Sequence, residues 1–460
     1  MNDSTPRETL SSGLGFLLIS AGCAVGLGNV WRFPYIVGEN GGALFVLLYV
    51  FFLAIFGLPM MVAEFAVGRA AQRSLAVAYS ELCPKAKIYR KIGMMQQAGN
   101  WLLMMFYTTV AGWMLAYPFY IASRRFDFSE PKEFFEAFTS SPAEQVVWMT
   151  AVCAVGFFVC GIGLQKGVER VTKFMMSALL VLLVGLCVYI LTLPGAGEGV
   201  SFYLKPNFAI LHERPFFRIA MDALGQSFFT LSIGIGSMAI FGSYTSRRRR
   251  LADSALQIIV LDTLVALLAG LIIFPACAAC GVKPDSGPSL LFITLPRVFA
   301  QMPAGTFIGA AFFVFLGMAA LTTVIAVFEN ILAMTMDARK CSRRKAILRN
   351  APLLWLLSLP CALGFNLLRK IRPLGEGSTI LDLEDFLVSD IVLPAGALAI
   401  LVFCVSSRFW GWKNFTDEAN SGAGLALPQR ARAYMTYFLP VLLVAIFGYL
   451  LFGALKNLFP

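Results

Sequence analysis

The chain has 460 residues, of which 58% are hydrophobic and 14% are charged, and its formal net charge is +11. Soluble domains carry roughly 25% charged residues, so this composition excludes an ordinary soluble protein and indicates one that lies in a membrane. The only histidine is His212, which excludes a catalytic histidine pair or a histidine-based metal centre.

Eleven apolar segments follow one another along the chain, each longer than the roughly 18 residues of a spanning candidate. They cover residues 11–36, 41–68, 88–122, 145–163, 168–194, 215–245, 252–280, 304–337, 347–368, 381–406 and 433–457. Because the backbone in lipid must satisfy its own hydrogen bonds, we predict a helix for each segment. We expect the loop 195–214 and the segment 282–303 to be large outer elements, and we predict a short helix in the second that caps the outer face.

Most Lys and Arg residues fall in alternate loops, including the run Arg247–Arg250. Cytoplasmic loops hold the excess of basic residues, so we predict a cytoplasmic N terminus and, after an odd number of spans, an external C terminus. This placement explains the net charge without nucleic acid as a partner. Cys277 and Cys280 form a C-x-x-C pair, but they lie in an apolar run without a second pair, which does not favour zinc.

Two predicted helices, the first and the sixth, are interrupted by glycines. The first contains Gly22, Gly26 and Gly28, and the sixth contains Gly234 and Gly236. Close helix packing is one explanation for such glycines. However, the two stretches open segments 1–5 and segments 6–10, and glycine-interrupted helices in corresponding halves indicate the binding site of a transporter with inverted repeats. We therefore predict an all-α polytopic membrane protein with a 5+5 inverted repeat and broken helices 1 and 6.

The sequence resembles the neurotransmitter:sodium symporter family over nearly its whole length. The resemblance lies in AVGLGNVWRFPYIVGENGGALFVLLY, GLPMMVAEFAVGR, FYTTVAGW, GQSFFTLSIGIG, ALTTVIAVFEN and LDLEDF. It implies one LeuT-like transmembrane domain over 1–460, with one repeat at about 11–194, a second at about 215–406 and an additional helix at about 433–457. It also implies a bacterial plasma-membrane symporter, not an enzyme, that imports an amino acid with sodium by alternating access.

The resemblance further implies two sodium ions and no chloride. The first sodium site would use Ala24, Asn29, Thr230 and Asp262. The second would use Gly22, Val25, Ala319, Thr322 and Thr323. The family's chloride-binding serine falls at Ala266, which has no hydroxyl group, and the Asp262 carboxylate would supply the negative charge in place of chloride.

The amino-acid substrate would lie between the two broken helices. The positions carried over from the family are Ala24, Leu27, Gly28, Leu103, Tyr107, Phe229, Thr230, Ser232, Ile235, Thr323 and Val327. Without the resemblance, Leu103 and Val327 are read as core residues. Monoamine-transporting members carry an aspartate at the position of Gly26. A glycine there favours a substrate with its own carboxylate, and the apolar walls favour a large hydrophobic or aromatic side chain.

The resemblance also implies an outer gate, an inner gate and a buried glutamate that supports the broken sixth helix. Arg32 would pair with Asp385 at the outer gate, above a lid formed by Tyr107 and Phe229. Arg7 would pair with Asp337 near Tyr244 at the inner gate, and Glu64 would brace the break in the sixth helix.

Three other functions are weighed against a sodium symporter. They are a proton-coupled carrier that uses Asp262 or Glu329, an ion channel, and an intramembrane enzyme. The partners expected are the amino acid and the lipid bilayer, with no obligatory protein partner.

Overall fold

The computed structural model of the protein describes residues 8–282 and 289–458, and it is a bundle of apolar helices. Within these residues nine helices are long and apolar enough to cross a membrane, or ten if one bent pair is counted as a single span. In chain order we label the bent pair α1 (Gly13–Ala24) and α2 (Gly28–Glu39), followed by α3 (Ala43–Ala71), α4 (Lys87–Ala122), α5 (Pro142–Ile162), α6 (Leu164–Leu191), α7 (Phe216–Thr230), α8 (Ser237–Ser243), α9 (Leu251–Ala279), α10 (Gly305–Arg339), α11 (Arg343–Leu363), α12 (Ile380–Val405) and α13 (Ala431–Leu451).

The predicted breaks in the first and sixth segments are confirmed. Helices α1 and α2 are bent by 54° at their junction. Helices α7 and α8 are separated by six residues, among which Ser232, Gly234 and Gly236 have positive φ angles. A Cβ atom at Gly234 would lie 2.2 Å from the carbonyl oxygen of Leu393, so this position needs glycine. If α7 and α8 together cross the membrane, the spans number eleven, and that count stays a prediction.

Helices α4 and α10 pack along each other in the centre of the bundle. The pair α1 and α2 contacts α10 and α9, while α8 packs against α3. Both helix breaks face this central pair. The backbone N–H and carbonyl groups that have no helical partner at the breaks therefore lie in the middle of the bundle. This packing positions the site described below.

Short helices lie in the connections between the spans. The stretch predicted as a loop at 195–214 contains the helix Ala196–Leu204 and a 3-10 turn at Phe208–His212. The short helix expected within 282–303 is confirmed at Leu290–Ala300, and residues 283–288 of that stretch lie outside the described residues.

The loop between α12 and α13 is fixed to the bundle by a buried carboxylate. Glu418, in the helix Trp412–Ala419, accepts hydrogen bonds from Arg69 at 2.7 Å and from Arg247 at 2.8 Å. Arg250 donates to the carbonyl oxygen of Asn420 at 3.1 Å. The basic run after α8 is therefore also a docking surface for this loop.

Candidate functional site

A cavity of about 260 Å³ lies between the two helix breaks. Its walls are formed by residues of the two helix breaks and of helices α4, α10 and α12. The predicted substrate residues that line it are Ala24, Leu27, Gly28, Leu103, Tyr107, Phe229, Thr230, Ser232, Ile235 and Thr323. Val327 does not line it, because this residue is buried within the packing of α10.

Several lining residues were not predicted from the sequence. They are Cys23, Trp31, Tyr35, Phe106, Leu381, Val388 and Leu393. Phe106 follows Leu103 by three positions, so the periodicity of a helix could have identified it. The residues of α12 come from more than 270 positions further along the chain than Phe106, and no local pattern indicates that they meet α4.

One corner of the cavity has almost no room for a side chain. The backbone N–H of Leu27 donates to the Tyr107 hydroxyl at 3.3 Å. A Cβ atom at Gly26 would lie 2.7 Å from that hydroxyl oxygen and 2.8 Å from Thr323 Oγ1. This corner therefore offers backbone and hydroxyl groups, which suit a small polar group of a ligand.

The side chains predicted for the first sodium site meet beside the first break. The Asn29 amide nitrogen donates to Asp262 Oδ1 at 2.9 Å, and the Thr230 hydroxyl donates to Asp262 Oδ2 at 3.2 Å. All three side chains are buried. Among the described residues no basic side chain forms an ion pair with Asp262, so its carboxylate is available to a cation.

The oxygens predicted for the second sodium site meet around one hydroxyl group. Thr323 Oγ1 lies 3.2 Å from the carbonyl oxygen of Gly22, 3.3 Å from that of Val25 and 3.4 Å from that of Ala319. The hydroxyl of Thr322 lies 2.9 Å from the same Ala319 oxygen. This cluster of oxygens without formal charge joins α10 to the first break, and it suits a monovalent cation better than a divalent one, which usually recruits carboxylates.

The second break is held from outside the cavity by Glu64. Its two carboxylate oxygens accept hydrogen bonds from the N–H groups of Gly234 at 2.8 Å and Met238 at 3.0 Å. These contacts confirm the brace predicted for Glu64. Helix α4 adds a second support, because the amide of Gln96 donates to the carbonyl oxygens of Gly234 at 2.8 Å and Gly396 at 3.0 Å.

Sequence reasoning missed a buried polar triad that joins α4, α8 and α10. The Asn100 amide donates to the carbonyl oxygen of Ile235 at 2.7 Å. Its oxygen accepts from Asn330 at 2.9 Å and from Ser237 at 3.2 Å. Three buried polar residues in apolar segments were visible in the sequence, but their mutual contact depends on packing between distant helices.

The cavity extends toward one end of the bundle, where Arg32 and Asp385 both form part of its wall. In this conformation no ion pair within 4.0 Å joins these two described residues. The Arg32 guanidinium instead lies over the Phe229 ring, 4.3 Å from its centroid. Asp385 accepts a hydrogen bond from Ser389 at 2.7 Å. The predicted gate residues therefore face the same space without closing it.

The opposite end of the bundle is closed by polar contacts. Tyr244 donates to Glu329 at 2.8 Å, and Glu329 pairs with Arg343 at 2.5 Å. Arg343 also binds Glu8 at 3.0 Å, and the N–H of Leu10 donates to the Tyr244 carbonyl oxygen at 3.2 Å.

The predicted inner gate is only partly described. Arg7 lies outside the described residues, and Asp337 accepts a hydrogen bond from the N–H of Ser74 at 2.6 Å. Near the same end, Glu169 accepts hydrogen bonds from the backbone and hydroxyl groups of Ser11 and pairs with Lys173 at 2.9 Å. The segment before α1 is thus attached to α6 as well as to α8 and α11.

Comparison with known proteins identifies the family. The model of the sodium:neurotransmitter symporter family matches residues 7–136 and 126–456. The sodium-dependent transporter YhdH of Bacillus subtilis is 36% identical over 406 residues, which cover 88% of each chain. A sodium-dependent transporter of Haemophilus influenzae is 34% identical over 410 residues, covering 86% of this chain and 88% of the relative.

A solved structure supports the same assignment. The crystal structure of MhsT in complex with L-phenylalanine matches with a TM-score of 0.85 and 35% sequence identity, and the match covers 96% of this chain and 99% of that chain. This likeness confirms the predicted LeuT-like fold. The chain belongs to the sodium:neurotransmitter symporter family, whose members are transporters and not enzymes.

Proposed function

We propose that this sodium-dependent symporter imports a hydrophobic or aromatic L-amino acid and does not need chloride. The observation that carries the proposal is the cavity between the two helix breaks, which has a polar backbone corner and apolar walls. Such a cavity fits a molecule with a charged head group and a large apolar side chain. The MhsT structure was determined with L-phenylalanine, a molecule of this kind.

The carboxylate of the substrate would bind at the corner formed by the first break. The N–H groups of Leu27 and Gly28 and the Tyr107 hydroxyl would donate to it, as the helix ends at such a break do to anions. The Leu27 N–H would exchange its hydrogen bond to Tyr107 for one to the carboxylate. An aspartate at Gly26, as in monoamine-transporting members, would bring its side chain against Tyr107 and Thr323. This crowding supports a substrate that carries its own carboxylate.

The apolar part of the substrate would lie against Leu103, Phe106, Phe229 and Ile235. These side chains line the cavity on both sides, and they bring no charge to it. Burial of an aromatic side chain there would contribute about 25 cal/mol for each Å² of apolar surface removed from water. Glycine and other small substrates would forgo this contribution.

Sodium would bind at the two oxygen clusters next to this cavity. Asn29, Thr230 and Asp262 would hold one ion beside the substrate carboxylate. Thr322 and Thr323, with carbonyl oxygens of the first break, would hold the other. Because the first ion and the substrate share a neighbourhood, each would raise the affinity for the other by the same factor.

Chloride independence follows from the same cluster. The Asp262 carboxylate is buried, and the neighbouring chloride position in the family is Ala266, which is also buried and has no hydroxyl group. A fixed carboxylate at this place would balance the charge of sodium, as chloride does in other members. A bound chloride ion would then add a second negative charge beside Asp262, at a place where Ala266 has no hydroxyl group to donate to it.

With the N terminus in the cytoplasm of a bacterial cell, the described conformation faces outward. The cavity reaches the Arg32 and Asp385 end, whereas the end next to the N terminus is closed. Transport would close the outer end by bringing Arg32 and Asp385 together, and then release the contacts of Tyr244 and Glu329 at the inner end.

Uptake by purified protein in proteoliposomes tests the proposal. We expect accumulation of labelled phenylalanine against its gradient only when sodium is higher outside, with competition by leucine, methionine, tyrosine or tryptophan far stronger than by glycine, GABA or dopamine. Replacing chloride by gluconate should leave the rate unchanged. Uptake driven by a proton gradient without sodium would indicate a proton-coupled carrier, and preferred binding of a decarboxylated amine would contradict the substrate class.

A further inference from the structure

A second carboxyl group stands behind the outer end of the cavity, and none of the sites described above uses it. Glu384 directly precedes Asp385 in α12, but only Asp385 belongs to the cavity wall. The Glu384 side chain lies between helices, is 4% exposed, and has the Cys361 thiol of α11 beside it. Thr109 of α4 lies next to the same thiol.

The surroundings of Glu384 do not compensate a negative charge. Among the described residues no basic nitrogen lies within 4.0 Å of its carboxyl group, and its buried Oε2 atom accepts no hydrogen bond. The titratable group facing it from α11 is Cys361, a weak donor. On its own helix Asp382 lies nearby, and that carboxylate accepts hydrogen bonds from Thr379 at the helix start.

A neutral carboxyl group fits this place, and an ionised one does not. An ion taken out of water without a partner is far costlier than the corresponding neutral acid, and a buried carboxyl group responds by keeping its proton. Ionisable residues at membrane depth are also functional candidates because they are costly to retain there. A purely apolar residue at position 384 would pack between α4 and α11 without this cost.

We propose that Glu384 is a proton-binding site behind the outer gate. In the outward-facing conformation the Glu384 side chain is a neutral carboxylic acid, packed between its own helix α12 and the helices α4 and α11. It loses its proton only when α12 moves relative to α11 and water reaches the carboxyl group. Because Asp385 is the next residue, this movement also displaces the gate carboxylate, so that high pH disfavours the outward-facing packing.

Infrared spectroscopy of the purified, substrate-free protein tests the protonation directly. We compare the wild type, Glu384→Gln, and a control, Glu376→Gln, in which the replaced carboxylate is exposed in the loop before α12. At neutral pH we expect a carbonyl stretch of a protonated carboxyl group that is lost in Glu384→Gln and kept in Glu376→Gln. Identical spectra for the wild type and Glu384→Gln in this region would overturn the proposal.

Thermal unfolding at different pH values tests the same point without a spectroscopic assignment. Glutamine imitates the neutral acid, so Glu384→Gln and the wild type should unfold at similar temperatures at about pH 5. At about pH 9 Glu384 is ionised in the unfolded wild type, whereas the folded wild type must either keep Glu384 protonated or bury its charge. Both alternatives lower the stability of the wild type, so Glu384→Gln should be the more stable protein. A difference that does not change with pH, or a variant that is less stable at about pH 5, would overturn the proposal.

These two measurements do not depend on the substrate. If labelled phenylalanine is not taken up, the proposed substrate class fails while the proton site stands on its own results. If uptake is normal and both measurements are negative, the proton site fails and the proposed function remains.

Discussion

The two helix breaks look alike in sequence but are held in different ways. At the first break, hydrogen bonds come from Thr323 and Tyr107, which line the cavity and which we propose as ligands of sodium and substrate. At the second break, they come from Glu64, Gln96 and Asn100, which lie outside the cavity. The second break is therefore fixed by a permanent brace. The first is fixed largely by the proposed ligand groups, with Gln226 of α7 as a further donor to the Gly28 carbonyl oxygen at 2.9 Å.

This difference assigns different tasks to the two breaks. A brace that no ligand touches keeps its geometry whether the site is loaded or not, so the second break can act as the prebuilt half of the site. On the proposed assignment, the first break would exchange hydrogen bonds for contacts with sodium and substrate, so ligand binding would change its shape. Binding can shift an equilibrium only through such differences in contact between states.

The largest effect should come from removing the brace at the second break. Glu64→Ala leaves the N–H groups of Gly234 and Met238 without acceptors in a buried place, at about 1–3 kcal/mol for each group. We expect loss of sodium-dependent substrate binding and a clear decrease in the unfolding temperature. Fluorescence-detected thermal unfolding and labelled-substrate binding measure both effects.

A matched control for this variant is Glu81→Ala. Glu81 is also a glutamate on a helix, but it is exposed and forms only a loose ion pair with Arg73 at 3.6 Å. It should change the unfolding temperature little. If Glu64→Ala behaves like the control, the second break does not need its brace.

The next effect concerns the first break and the second sodium site. Replacing Thr322 and Thr323 together by Val keeps the shape of α10 and removes two hydroxyl oxygens. We expect the apparent sodium affinity to fall by about tenfold to a hundredfold, or roughly 1.4–2.8 kcal/mol, while the protein stays folded. Sodium titration of labelled-substrate binding gives this value.

Thr436→Val serves as the control for the loss of a hydroxyl group. The buried Thr436 oxygen has no hydrogen-bond partner among the described residues, and it lies on α13, away from the cavity. This change should leave the sodium titration as in the wild type. An unchanged titration in the Thr322 and Thr323 variant would refute the second sodium site.

A smaller effect should follow at Asp262, which contacts a residue of each break. Asp262→Asn removes the proposed counter-charge of sodium, and we expect weaker sodium dependence without chloride. Adding Ala266→Ser supplies a hydroxyl donor, so the double variant should regain affinity when chloride is present. Uptake in chloride and in gluconate measures this, and wild-type uptake that stops in gluconate would show the charge argument to be wrong.

The positions of the helices could be predicted from the sequence because burial in lipid requires long apolar runs. The segment predicted at 88–122 is observed as Lys87–Ala122, and that at 304–337 as Gly305–Arg339. The breaks could be predicted too, since glycines and polar residues interrupt two runs at corresponding places. The ligand sets depended on the resemblance, because carbonyl oxygens have no sequence signal of their own.

The supports behind the cavity could not be predicted in the same way. Gln96 and Asn100 are polar residues in a helix that is buried on several sides, so no polar face indicates where they point. Glu384 and Asp385 are adjacent acids, yet one lies between helices and the other lines the cavity. Which of the two acids faces the cavity depends on how α12 packs against α11 and against α4, which lies more than 250 residues earlier in the chain.

The smallest effect should come from the buried triad of Asn100, Ser237 and Asn330, which holds Ile235 in the wall of the proposed substrate cavity. Asn100→Leu removes the donor to the Ile235 carbonyl oxygen and the acceptor for Asn330, while Glu64 still holds the second break. Losing such a bond costs about 1 kcal/mol, so we expect KM for the amino acid to rise three- to tenfold and kcat to change little.

Asn330→Leu should have a similar effect. Because both side chains belong to one network, the double variant should be less impaired than the sum of the two changes. Additive effects, or a fall in kcat with KM unchanged, would mean that the triad stabilises the fold without positioning the pocket.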